Sequence, residues 1–251
     1  MGSFEISLVA FAVIFGGSIA GMLLRGVMPK HHLSHESTEV IKLGMGMIAT
    51  MAALVLGLLV ASAKSSFDAQ STELTQASAN ILMLDQLLAH YGPETKASRE
   101  SLQRIVVHVL DAIWSENGLG SAPLGAPATG KEGLYEQIQG LTPQNDLQRS
   151  LQSQSLNLTM NLSQTRWLLF EQGTTSVSKP LVIVMVFWLA VIFISWGIYA
   201  PPNTTIVVTM LIAALSISSA IFLILEMYTP YQGLIQISSA PLRVALAQLG
   251  Q

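Results

Sequence analysis

The chain has 251 residues, 51% of them hydrophobic and 11% charged, with a formal net charge of -3 and no cysteine. Soluble domains carry about 25% charged residues, so composition points away from a wholly soluble fold. The lack of Cys excludes disulfides, thiolate metal sites and a cysteine nucleophile, and the scattered Lys and Arg offer nothing to a nucleic-acid partner.

Four apolar runs follow along the chain: Phe4–Leu24, Leu43–Ala63, Leu181–Tyr199 and Thr204–Leu225. Each is near the ~20 residues that cross about 30 Å of hydrocarbon. A backbone in lipid has to satisfy its own hydrogen bonds, so each run is expected to be a helix. The first has Glu5 at its start and Arg25 and Lys30 after it, the reverse of a secretory signal, and is expected to be retained. Gly17 and Gly21 form a G-x-x-x-G in it. Missing side chains let helix backbones approach, either inside one subunit or at a subunit interface or pore wall.

The connection Arg25–Lys42 holds the densest ionisable cluster. His31, His35 and Glu39 are four apart and would share a helical face as a divalent-metal site or a pH-sensitive patch. Pro29 and the capping residues Ser34 and Ser37 favour a solvated loop instead. The second run carries Gly44, Gly46 and Gly57, open to the same packing alternatives as the first.

Lys64–Pro180 is polar and helical in pattern. Phe67, Leu74, Ile81, Leu84, Leu88 and Tyr91 are spaced 7, 7, 3, 4 and 3 apart, a heptad-like stripe. No Pro or Gly separates it from the second run, so one rod from Leu43 to Tyr91 of roughly 70 Å is expected, stopped at Gly92-Pro93. Further helices are expected over 93–117 (Leu102, Ile105, Val106, Val109, Ile113 on one face), near 131–139, and over 143–172 (Leu147, Leu151, Leu158, Leu162, Leu169). The Gly-, Pro- and Ala-rich stretch 118–130 reads as a loop.

Pro201-Pro202-Asn203 makes an antiparallel hairpin of the third and fourth runs, because Pro cannot continue a helix. The fourth carries Thr209, Ser216, Ser218 and Ser219. Their hydroxyls bond their own helix or a neighbour, or replace part of an ion's hydration shell. Glu226 closes that helix at its negative dipole end and calls for a cation, with Lys64 and Lys179 as candidates. The tail, interrupted by Pro241, is too short to span and is expected at the membrane interface.

The expected fold is therefore an all-α membrane protein, with four transmembrane helices and a helical extramembrane bundle inserted between the second and third. Its parts are a hairpin over 1–64, the bundle over 65–180, a second hairpin over 181–225 and an interfacial tail over 226–251. Arg25, Lys30 and Lys42 put their loop inside, while Lys179 argues the other way. The expected location is the inner (plasma) membrane, multi-pass, with termini and bundle periplasmic or extracellular. No phosphate loop, nucleophile elbow or zinc-protease signature is present, so no enzyme activity and no cofactor are expected.

Ala53–Lys64 (ALVLGLLVASAK), Leu84-Asp85 and Tyr91-Gly92-Pro93-Glu94, with Pro230–Ile235 and Ser238–Leu242, resemble motifs of the bestrophin-like domain-of-unknown-function family of bacterial integral membrane proteins. The resemblance covers nearly the whole chain. It implies a distant relation to the bestrophins, pentameric chloride channels with four membrane helices per subunit. The expected function is thus a homo-oligomeric, anion-conducting channel whose partners are the lipid bilayer and inorganic ions. The alternative is a membrane-anchored sensor or scaffold whose helical domain binds a ligand or protein. A small-solute transporter comes third, since the two helix pairs show no inverted repeat.

Overall fold

The computed structural model describes residues 2–29, 35–114, 133–174, 179–201, 203–231 and 233–250, without the side chains of 35–37, 170–174 and 179. Most of these residues are helical, and there is no strand among them: α1 Ser3–Val27, α2 His35–Tyr91, α3 Lys96–Trp114, α4 Leu134–Gln139, α5 Asp146–Thr174, α6 Lys179–Tyr199, α7 Thr204–Met227 and α8 Ala240–Gln248. Four of them, α1, α2, α6 and α7, are long and apolar enough to cross a membrane.

The chain divides into two compact units, Met1–Ser65 with Ser176–Tyr228 and Ser66–Thr175 with Thr229–Gln251. The helix α2 runs unbroken through 57 residues and contributes to both, as expected from the lack of a breaker after the second apolar run. It ends at Gly92, whose φ of +139° only glycine adopts readily. Pro93 then opens a 3-10 turn over Pro93–Thr95, where the buried Thr95 hydroxyl donates to the carbonyls of Leu88 (2.6 Å) and Gly92 (2.8 Å).

The first unit packs α1 against α6 and α7. Its core is mainly apolar, with Ile14 on α1, Ala52, Leu59 and Ala63 on α2, Met185 and Phe193 on α6, and Ala214 and Ile221 on α7; Ser7, Ser18, Ser218 and Glu226 are also buried in this unit. Asn203 caps α7 by accepting from the Ile206 amide at 2.9 Å, so the hairpin is closed by a cap as well as by proline.

In the second unit the expected stripe of α2 is buried from Leu74 to Tyr91, with Phe67 partly covered. Facing it are Leu102, Val106 and Leu110 of α3 and Leu134 and Ile138 of α4. One member of the α5 stripe departs from expectation: Leu147 is 66% exposed. The first turn of α5 is held instead by Gln148, whose amide donates to the Tyr91 carbonyl at 2.9 Å. That sets a helical phase in which Leu151, Ser155 and Thr159 face inward. The tail also does more than lie flat. Ile237, Leu242, Ala245 and Leu249 are buried in this core rather than left for lipid, and Trp114 Nε1 donates to the Ile237 carbonyl at 3.0 Å.

Candidate functional site

The expected small-residue positions fall into two classes. Gly17 and Gly21 sit in a tight crossing of α1 and α6. A Cβ on Gly21 would run into the Ile194 carbonyl and lie 3.1 Å from Gly197 Cα, and a Cβ on Gly197 would run into the Ser18 carbonyl. A Cβ on Gly17 would lie 3.2 Å from the Ile194 side chain. The G-x-x-x-G of α1 is therefore used inside the subunit. Its counterpart Gly197 was not picked out from the sequence. The available signal was depth: both glycines lie within four residues of the ends of their apolar runs.

Gly44, Gly46 and Gly57 behave differently. Nothing lies within 4 Å of a Cβ added at any of them. They share the uncovered side of α2 with Leu43, Met47, Met51, Leu54 and Leu58, each more than half exposed. Such a row is untenable in water and is ordinary against lipid or another helix.

On α7 the residues Thr205, Thr209, Ile212, Ser216, Ser219 and Leu223 are all exposed and recur at 4, 3, 4, 3 and 4, one helical face. Thr209, Ser216 and Ser219 each donate to the carbonyl four residues back, at 2.9, 2.9 and 2.8 Å. Their hydrogens are thus engaged, and oxygen lone pairs face outward. Ser218 points the other way. It is buried, and its hydroxyl has no hydrogen-bond partner among the described residues.

Glu226 is 3% exposed. It and Lys64 each have an interacting neighbour. The Lys179 side chain lies outside the described residues. Nearby, the Ser62 and Tyr228 hydroxyls are 3.2 Å apart. Of the candidate metal ligands, His31 and the side chain of His35 lie outside the described residues, and Glu39 has an interacting neighbour. Among the described residues no three His, Cys, Asp or Glu gather into a metal site.

The second unit buries charge. Asp85, 5% exposed, takes a two-pronged hydrogen bond from Arg99, Nε at 2.7 Å and an Nη at 2.8 Å, and accepts from the Gly250 amide at 3.3 Å. The bonds to Asp85 hold the guanidinium above its usual pKa against the opposing effect of burial. Burial, and then the charge of Glu73, raises the Tyr231 phenol; burial, and then Glu94, raises that of Tyr91.

No curated protein and no solved structure matches the chain. A family model described as the bestrophin-like domain matches residues 11–242, which takes in all four membrane-length helices at least in large part. The chain belongs to the bestrophin-like family of membrane proteins.

Proposed function

We propose that the chain is the subunit of an oligomeric ion channel, anion-conducting and of the bestrophin type. Four helices cross the inner membrane, and the helical unit inserted between α2 and α6, over about residues 65–180, stands outside it on the periplasmic side together with the termini. The observation that carries this reading is the exposed hydroxyl face of α7, from Thr205 to Ser219. A row of hydroxyls gains nothing against lipid, whereas a neighbouring subunit or an aqueous path makes use of it. The uncovered Gly57 of α2, away from the groove end of that helix, supplies a second surface on which copies can assemble.

The same face constrains selectivity. Anions need hydrogen-bond donors, but the Thr209, Ser216 and Ser219 hydrogens are committed to their own helix. Turning one toward an anion gives up a bond worth about 0.5–1.5 kcal/mol, a cost small enough to be met during passage. Purified protein in chloride-loaded liposomes is expected to release chloride faster than empty liposomes, and Ser216→Ala with Ser219→Ala to alter the rate. The absence of any ion flux across pH and voltage rejects the channel.

A second reading, a sensor or scaffold, is favoured by the second unit. There the Gln70 side-chain oxygen and the Tyr231 hydroxyl are buried without hydrogen-bond partners among the described residues. A ligand-induced thermal shift or a stable protein partner, without conductance, selects it.

A further inference from the structure

The first unit contains an open groove of about 580 Å³ at the end of the hairpin where α6 gives way to α7, a volume in the range of small-molecule sites. Its walls are Ile41, Met45, Ala49 and Met210, and its rim carries Lys42, Trp196 and Tyr199. The chemistry is graded along its length. Tyr199 is the last residue of α6 and Trp196 lies one turn before it, while Lys42 precedes the second apolar run. Trp and Tyr favour the level of lipid headgroups, and a Lys there keeps its stem in hydrocarbon and its ammonium at the polar boundary. Toward Ala49 and Met210 the groove is apolar.

Charge decides what fits. No acidic side chain lines the groove; Glu39 stands one turn ahead of Lys42 but outside it. At the same end, Arg25 lies in the last turn of α1, one turn beyond the Gly21–Gly197 crossing, and keeps a guanidinium nitrogen buried without a hydrogen-bond partner among the described residues. A phosphate with an attached acyl chain meets both ends of the groove.

We propose that this groove is a binding site for one anionic phospholipid per subunit, with its phosphate at Lys42 and an acyl chain along Ala49 and Met210. The site stands whether or not the chain conducts ions. It is tested by native mass spectrometry of the full-length protein in neutral detergent, with phosphatidylglycerol or phosphatidylcholine added. One phosphatidylglycerol per subunit is expected to survive activation that strips phosphatidylcholine. A cation near the headgroup is worth about fivefold in affinity, so Lys42→Gln is expected to lower retention by about that factor. Ala49→Trp fills the groove and is expected to abolish retention. Lys42→Gln alters an exposed residue and keeps the test alive if the tryptophan variant fails to fold. Equal retention of the two lipids, or phosphatidylglycerol retention unchanged in Lys42→Gln, overturns the proposal. A changed oligomeric mass in Ala49→Trp with lipid retention intact also overturns it, since a second copy then occupies the groove.

Discussion

The two units of this chain solve the same packing problem with different surfaces: the first exposes mostly large apolar side chains, the second mostly polar ones. The first buries mainly apolar side chains, with a few hydroxyls and Glu226, exposes large apolar ones, and makes a close helix crossing, Gly21 against Gly197, by leaving side chains out. The second puts its polar residues outside but keeps some of them in, with Asp85, Ser98 and Ser101 sharing an interior with Leu84 and Leu102, and the partly covered Arg99 reaching Asp85. The difference fits the proposed placement of the first unit in lipid and of the second in water. In hydrocarbon, apolar surface drives nothing together, so close backbone approach and dispersion do the work. In water, apolar burial supplies the drive, and a buried charge is tolerated when it is paired, as Asp85 is with Arg99.

The largest expected effect breaks the second unit's rule. Removing one partner of a buried ion pair strands the other, at about 3–5 kcal/mol. Arg99 retains some exposure, 23% of its side chain, so Arg99→Met is expected at the lower end, about 3 kcal/mol. Thermal unfolding in detergent reads it. The double variant Asp85→Leu with Arg99→Met is expected to recover most of the loss, because no charge is left stranded. A single variant that melts like the parent would mean the pair organises nothing.

Next comes the first unit's rule. Gly21→Ala forces a methyl into the Ile194 backbone, and overpacking of this kind costs about 1–3 kcal/mol. Gly57→Ala has open space around it and is expected to leave the melting temperature of a dispersed subunit unchanged. The pair sharpens the contrast between glycines used within the subunit and glycines left for a neighbour. If Gly57→Ala lowers the oligomeric mass by light scattering while Gly21→Ala only lowers thermal stability, the two roles are separated. Equal effects on both measurements erase the distinction.

What could be read from the sequence divides along the same line. The four membrane helices were legible because length and lack of charge are properties of a single continuous run. So was the long α2, since an absent breaker is also a local fact. Partnerships between distant segments were not. Leu84-Asp85 was visible as a motif, but nothing local ties Asp85 to Arg99 or to the Gly250 amide. Leu147 looked like core because leucine is apolar, whereas the phase of α5 is fixed by Gln148 reaching the Tyr91 carbonyl. The tail was expected at an interface because its amphipathic face has no partner in sequence; in space that partner is the core around α3. The groove at Lys42 joins α2, α6 and α7, a convergence no single window contains.

The smallest effect concerns pH and again separates the units. Burial raises the Tyr231 and Tyr91 phenols above the ordinary 10.0, with Glu73 and Glu94 adding to it. A group whose folded pKa is raised contributes stability that is complete below its unfolded pKa. That contribution is lost as pH climbs toward the folded value, because the unfolded chain ionises first. Stability is therefore expected to be insensitive to these residues at pH 7 and to fall as pH rises beyond about 10. Tyr231→Phe is the clean probe, since its hydroxyl has no hydrogen-bond partner among the described residues and its ring stays available to Trp114, 5.9 Å away edge to face. It is expected to melt like the parent at neutral pH and to lose less stability between pH 9 and pH 11, roughly the window around a tyrosine's ordinary pKa. The same alkaline slope in parent and variant would place the titrating groups elsewhere, and the second unit's interior would then be less dry around Tyr231 than its burial implies.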